Sequence, residues 1–383
     1  MSLPNSKKVI FVIHGLPMGG AEKFLITLAN QLYQLSYQPH LILLSKDDSL
    51  KSELNKEIPV YYALKNTRFD FGVSKKIKKW IDIIDPHVVV CINTYSFFLT
   101  KLNFFLSSKY RFVLSPHTTK PFSFYNYLQN LFYFRLLNKS DSIFYLCKAQ
   151  QQYLKQKYYL SKHLEKVVYN GINAELFNSN SITLDKARAA KLQLGIGEAD
   201  SVIVQVARIQ KEKRHADAID AVALLNKKRE KSSVHLLLVG DGNPIMLTAL
   251  KQRVKDLNIE QLVHFLGNQK DVRLFYKMAN LFTLTSNSET FSIAALEAMS
   301  FGLPVVLTDV GGAREMVLDN KNGFLVPPKQ VEKIAEGWRT ALSFDFNAAK
   351  IREEVVNKFG LDHMVDSYVR LLFSDSPNQQ HNT

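Results

Sequence analysis

The sequence predicts an α/β protein built from two doubly wound domains that face each other across an interdomain cleft. Length is the first observation: 383 residues exceed what one typical hydrophobic core accommodates, so two domains are expected. The second is that short apolar runs alternate with helical patterns, which is how parallel strands covered on both faces read. The third is that the rhythm restarts. The first half carries "KVIFVI" (8–13), a helix over about 21–35, "PHLILLS" (39–45), "HVVVCI" (87–92), "RFVLS" (111–115), "SIFYLC" (142–147) and "KVVY" (166–169). The second carries "SVIVQVA" (201–207), "VHLLLVG" (234–240), "LVHFLG" (262–267), "LFTLT" (281–285) and "PVVLT" (304–308). The expected domains are 1–172 and 201–373, joined by an Asn/Ser-rich linker region at 173–200 with a short helix ending at Gly195, and followed by a disordered tail at 374–383. The last helix of the second domain is expected to be able to pack back on the first.

Composition narrows the class. Apolar residues make up 46% of the chain, as in ordinary globular proteins. Cys91 and Cys147 are the only cysteines, each at the end of an apolar run, so neither a disulfide framework nor a metal cluster is read, and a reducing cytosol is the natural compartment. The N-terminal "KKVIFVIHGLPMGG" is too short in its apolar part, and interrupted by His14 and Gly15, to be a signal peptide. No apolar run approaches the roughly 18 residues of a membrane span. The net charge of +14 is unevenly placed: residues 1–170 hold 23 Lys+Arg against 10 Asp+Glu, the remainder 26 against 25. A basic first half fits an anionic partner, such as a phosphate-bearing substrate or an anionic membrane surface, although solubility alone also accounts for surplus lysine. No zinc spacing, ribonucleoprotein aromatic motif or helix-turn-helix pattern points to nucleic acid.

Ligands of open α/β sheets bind beyond the carboxyl ends of the strands, and four strand ends carry unusual residues. After the first strand, Gly19 and Gly20 precede a helix, which permits close backbone approach to an anion; an ordinary turn reads the same way. After "RFVLS" stands His117, either structural or a hydrogen-bond donor to a substrate hydroxyl. The aromatic "FSFYNYLQNLFYFRLLNK" that follows reads as a buried helix, with an exposed face at a membrane interface as the alternative. Arg208 and Lys213 leave "SVIVQVA" together and fit a diphosphate, whose charge they could neutralise as it departs; plain surface solvation is the other reading.

The fourth end is "SETFSIAALEAMSFGLPVV", where Glu289 and Glu297 stand eight residues apart. In helical phase, Ile, Ala, Leu and Met surround Glu297, which marks a buried carboxylate that must cap, pair or hold a ligand. Eight helical residues rise about 12 Å, whereas glycosidase carboxylates sit roughly 5 to 9.5 Å apart. The two acids therefore suit separate grips on one long ligand, with the backbone N–H groups of Phe291, Ser292 and Ile293 opening the helix between them.

In order and separation, "GGAEK", "PHTTKP", "VVYNGIN", "ARIQKEK", "LLLVGDG", "FLG" and above all "SETFSIAALEAMSFGLPVVLTDVGGAREMV" resemble the glycosyltransferases of family 4, which have the GT-B fold of two Rossmann-like domains. The resemblance implies transfer of a hexose or N-acetylhexosamine from a nucleotide-sugar, with UDP the commonest nucleotide, with retention of configuration and without a metal or other cofactor. Carried over by position, Glu289 binds donor-sugar hydroxyls and Glu297 the ribose. Arg208 and Lys213 neutralise the diphosphate, helped by the amides of Phe291, Ser292 and Ile293 and by Gly20. His117 touches a donor hydroxyl near the reacting carbon, and Asn268 borders the base. The N-terminal domain is then the acceptor side. A lipid-linked saccharide in polysaccharide, O-antigen or lipopolysaccharide assembly fits its charge, with peripheral contact at the cytoplasmic membrane face through Lys75, Lys76, Lys78, Lys79 and the Phe122 to Arg135 segment. Thr290, Ser292 and Arg214 stand where the family often has Gly, and their side chains are expected to narrow the donor pocket. A sugar-nucleotide epimerase of the same architecture and a catalytically silent partner subunit are the alternatives.

Overall fold

Six residues, Lys8–Ile13, form the first strand, β1, and all but the lysine are buried. Such a run has no polar face to offer water, so it belongs at the centre of a sheet covered on both sides. The structure, a computed structural model, describes residues 7–64, 72–104, 109–121, 123–160, 164–227 and 232–373. The expected disordered tail and Phe122 lie outside the described residues.

Contacts divide the chain into two compact units, Met1–Gly171 with Asp362–Thr383, and Ile172–Leu361. In the first, β1 is followed by α1 (Gly20–Gln34), β2 (Gln38–Leu43), β3 (Val60–Tyr62), α2 (Gly72–Ile84), β4 (Val88–Ile92), α3 (Thr94–Lys101), β5 (Arg111–Ser115), α4 (Phe124–Phe134), β6 (Ser142–Tyr145), α5 (Lys148–Tyr158) and β7 (Leu164–Val167). The strands make one sheet in the order β3-β2-β1-β4-β5-β6-β7, parallel throughout.

The second unit runs α6 (Leu184–Gln193), β8 (Ser201–Val206), α7 (His215–Asn226), β9 (Val234–Val239), α8 (Pro244–Asp256), β10 (Val263–Phe265), α9 (Arg273–Met278), β11 (Leu281–Leu284), α10 (Ile293–Ser300), β12 (Val305–Thr308), α11 (Ala313–Met316), β13 (Gly323–Val326), α12 (Val331–Ser343) and α13 (Ala348–Phe359). Its sheet, also parallel, has the order β10-β9-β8-β11-β12-β13. Residues 173–200 belong to this unit, where α6 packs on α9 and Gly195 ends the helix with φ +70°.

The last helix, α14 (Leu361–Phe373), returns to the first unit. Tyr368 packs on Phe24 and Phe144 with ring centroids 5.6 and 5.7 Å apart. Phe373 stacks on Tyr37 at 4.2 Å.

Three sequence expectations are corrected. β7 begins two residues earlier than "KVVY". The edge strands β3 and β13 were not expected at all. The aromatic helix α4 is not buried: only Tyr133 and Phe134 are inside, while Phe124, Tyr125, Leu128 and Phe132 are exposed. Aromatic residues fall on more sides of α4 than its neighbour α3 can cover, so the surplus faces water.

Candidate functional site

In the second unit the chain leaves β8 toward β9 on one side and returns through β11 on the other. That reversal is a topological switch point at the carboxyl ends of β8 and β11, the place where such sheets take ligands. The loop after β8 ends in a single 3₁₀ turn, Lys211–Lys213, and the loop after β11 leads to α10. Polar side chains buried at the strand ends lock the two together. Gln205 Nε2 donates to the Lys213 carbonyl at 3.3 Å. Thr285 Oγ1 donates to the carbonyls of Lys213 and Arg214 at 3.1 and 3.0 Å, and the Asn287 N–H to that of Glu212 at 2.7 Å. Across this frame Lys213 Nζ forms an ion pair with Glu289 Oε1, which also accepts from Ser286 Oγ at 2.7 Å. Lys213 and Glu289 are 22% and 17% exposed, open enough for a ligand yet shielded enough that their attraction exceeds that of a surface pair.

Behind this pair, Ser292 is the N-cap of α10, its Oγ accepting from the Ala295 N–H at 3.2 Å. Ile293 starts the helix, Phe291 packs inside, and Glu297 is 5% exposed on the second turn. Tyr276 of α9 meets it: the phenol donates to Glu297 Oε2 at 2.7 Å and to the Ala294 carbonyl at 3.3 Å. Burial, reinforced by the Glu297 charge, pushes the Tyr276 hydroxyl well above its ordinary value, so the phenol stays a donor. The loop holding Glu289 is pinned from behind by Gly311, at φ +56°, where a Cβ would stand 2.1 Å from the Glu289 carbonyl oxygen.

Two positions expected to crowd the site each have a local hydrogen-bonding partner, and Ser292 lines the same cavity as Glu289, Thr290 and Phe291. Ser292 is engaged as the cap. Arg214, left-handed at φ +49°, ψ +48°, folds back onto Asp217 with Nε–Oδ2 and Nη2–Oδ1 distances of 2.6 and 2.7 Å. The left-handed backbone is the physical reason a glycine would also serve there. Arg208 is exposed at the end of β8, and its side chain is in no hydrogen bond or ion pair among the described residues. Asn268 is exposed on the loop after β10, next to Gly267, whose carbonyl accepts from the Gly240 N–H at 2.8 Å. The structure thus brings Lys213 and Glu289 into direct contact and sets Glu297, Phe291, Ser292 and Ile293 on one helix start.

The remaining expected residues lie in the first unit. Gly19 is the N-cap of α1 and Gly20 its first residue. His117 follows β5; its N–H donates to Asn93 Oδ1 at 2.7 Å, and its ring packs on Phe24 at 4.7 Å. Desolvation lowers its imidazole to about 3, so the ring is neutral in ordinary buffers. Lys75, Lys76, Lys78 and Lys79 are on α2, opposite its buried Val73, Ile77, Ile81 and Ile84. Lys78 pairs with Asp82 and Lys76 donates to the Leu64 carbonyl at 2.8 Å, while Lys75, Lys76 and Lys79 are all exposed. Arg135 is the exposed C-cap of α4.

Gln205, Tyr276, Thr285 and Ser286 were not singled out in the sequence. A glutamine inside "SVIVQVA" and hydroxyls ending "LFTLTS" were the available signal, because a polar residue in a buried strand must find a partner. Among the described residues no group of three or more His, Cys, Asp or Glu side chains is placed to hold a metal ion, and no helix is long and apolar enough to cross a membrane.

Comparison with known proteins agrees with the fold. Residues 18–176 match the family model for Glycosyltransferase Family 4, and residues 187–357 that for Glycosyl transferases group 1. A Campylobacter jejuni protein, N-acetylgalactosamine-N,N'-diacetylbacillosaminyl-diphospho-undecaprenol 4-alpha-N-acetylgalactosaminyltransferase, is 27% identical over 92% of this chain and 93% of its own length. The N-acetyl-alpha-D-glucosaminyl L-malate synthase of Bacillus anthracis is 31% identical, but over 54% of this chain and only 52% of its own length. Among solved structures, Anabaena HepE in complex with UDP and glucose superimposes with a TM-score of 0.81 at 23% identity, over 96% of this chain and 99% of that one. WaaG, a glycosyltransferase involved in lipopolysaccharide biosynthesis, gives 0.76 at 18% identity over 96% and 100%. Both likenesses are of fold.

Proposed function

Because the chain belongs to the family 4 glycosyltransferases and has their GT-B fold, we propose that it moves a hexose or N-acetylhexosamine from a UDP-sugar to a lipid-linked saccharide, with retention and without a metal. The observation that carries this reading is the Lys213–Glu289 ion pair across the β8/β11 switch point, with Glu297 held by Tyr276 behind it. An incoming diphosphate competes for Lys213 and releases Glu289 to accept hydrogen bonds from donor-sugar hydroxyls. Glu297, its Oε2 fixed by the phenol, addresses the ribose. As the bond from the anomeric carbon to phosphate breaks and the acceptor oxygen bonds on the same face, Arg208 and Lys213 stabilise the charge on the departing diphosphate. The acceptor proton passes to that leaving group. HepE, crystallised with UDP, and the Campylobacter enzyme, which carries an undecaprenol-linked substrate in its name, support the choice of donor and acceptor.

Contact with the cytoplasmic membrane face, through the α2 lysines and the exposed aromatics of α4, is part of the same proposal, and the basic first half supports it. A silent subunit drew its support from Thr290 and Ser292; Ser292 has a structural task as helix cap, which weakens that alternative.

The test is thermal unfolding with UDP, GDP, ADP or NAD. A ligand at about 100 times its Kd stabilises the fold by roughly 2.7 kcal/mol. The expected result is a shift with UDP that disappears in Glu297→Ala, and UDP release from a UDP-sugar that disappears in Glu289→Ala. A cooperatively unfolding protein that responds to none of the four would sink the reading.

A further inference from the structure

Asn93, at the end of β4, adopts φ +70°, ψ +159°, a backbone region that glycine enters freely and other residues enter only when their surroundings force them. It is also the N-cap of α3, a position where asparagine ordinarily accepts a hydrogen bond from the helix start. Here it makes no such bond. The side chain is turned instead to the loop after β5, where Oδ1 accepts from the His117 N–H at 2.7 Å. The other edge of the same peptide is also held: the Pro116 carbonyl accepts from Gln150 Nε2 at 2.7 Å. Gln150 is fully buried, and its Oε1 is fixed by the Leu146 N–H at 2.8 Å. The Pro116–His117 peptide is therefore clamped at both its N–H and its C=O, while Ser115 Oγ lies 3.4 Å from His117 Nε2 and Phe24 supports the ring.

We infer that Asn93 is a positioning residue, held in an unfavourable backbone conformation and withdrawn from helix capping so that its amide oxygen aims His117. The inference rests on the proposed function for what His117 is aimed at, a sugar hydroxyl, but not for the clamp itself. It separates stability from activity. Glycine at 93 relieves the backbone and sacrifices no cap, yet removes the oxygen that holds His117; aspartate keeps an oxygen in place.

Asn93→Gly, Asn93→Asp and the parent are compared by thermal unfolding, by the imidazole nitrogen–proton NMR correlations of His117, assigned through their loss in His117→Gln, and by UDP release from UDP-glucose, UDP-galactose and their N-acetylamino counterparts. The glycine variant is expected to melt close to the parent, to move the His117 signals, and to lose turnover by a factor on the order of 10 to 100. Asn93→Asp is expected to return the signals toward their parent positions and to recover most of that turnover. His117 signals unmoved in Asn93→Gly, or displaced equally by aspartate and glycine, would overturn the inference. If the parent turns over no UDP-sugar, the functional reading fails by itself, and the His117 signals still decide whether Asn93 sets that side chain.

Discussion

Tyr276 places its one hydroxyl proton on a carboxylate that is almost wholly out of water. Replacing it with phenylalanine leaves Glu297 one donor short at constant ring packing. A buried acceptor that loses a donor costs up to about 1–3 kcal/mol, so Tyr276→Phe should lower the melting temperature. It should also weaken binding of whichever nucleoside diphosphate stabilises the parent by roughly tenfold, measured by titration calorimetry. Unchanged affinity would show that Glu297 does not depend on the phenol. The two partners differ in how readable they are. Glu297 announces its burial in the sequence, because Ile293, Leu296, Ala298 and Met299 surround it in helical phase. Tyr276 does not: in "RLFYKM" it looks like one more core aromatic, and its partner is 21 residues away. The salt bridge of Lys213 with Glu289 spans 76 residues. Motif reading placed both residues at strand ends, but only the parallel pairing of β8 with β11 brings them together.

At the scale of elements, the central strands were legible because both their faces are buried and their sequence is continuously apolar. β3 and β13 escaped because they lie at sheet edges and have only three and four residues, "VYY" and "GFLV", with partly exposed positions that break the apolar run. The exposure of α4 escapes the sequence for the opposite reason: aromatic content suggests depth, although only a neighbour can cover a helix face. That exposed face gives a prediction with the α2 lysines. Reversing Lys75 and Lys79 to glutamate should reduce sedimentation with vesicles containing anionic lipid and make the remainder less sensitive to salt. Parent binding that high salt leaves untouched, or no binding at all, would count against membrane contact. The loop after β12 gives another. Gly311→Ala must force a Cβ against the Glu289 carbonyl at positive φ, a cost of roughly 1–3 kcal/mol or more, read as a lower denaturation midpoint together with weaker nucleotide binding.

For the molecule as a whole, acid is the expected weakness. Burial lowers His215 and His264 to about 4 and His117 to about 3. An unfolded chain takes up these protons near pH 6.5, while the folded one resists until the lower values are reached. Stability from these neutral rings is therefore complete above about pH 6.5 and is lost as pH falls toward 4. His215 is 3% exposed and its Nδ1 has no hydrogen-bond partner among the described residues. His215→Gln, which keeps a donor for the Ala207 carbonyl, should flatten the dependence of urea midpoints between pH 6.5 and 4.5. An equally steep profile would assign the acid response elsewhere. The return of α14 to the first unit has a consequence for biosynthesis. Tyr368 and Phe373 complete a hydrophobic surface formed by Phe24, Tyr37 and Phe144, yet the ribosome delivers them only after the entire second unit. At translation rates of roughly 5–20 residues per second, the first unit must wait about 10 to 40 seconds with that surface open. The later-born unit is thus free to finish folding before the earlier-born one, and the nascent N-terminal half is the part that calls for a chaperone's protection.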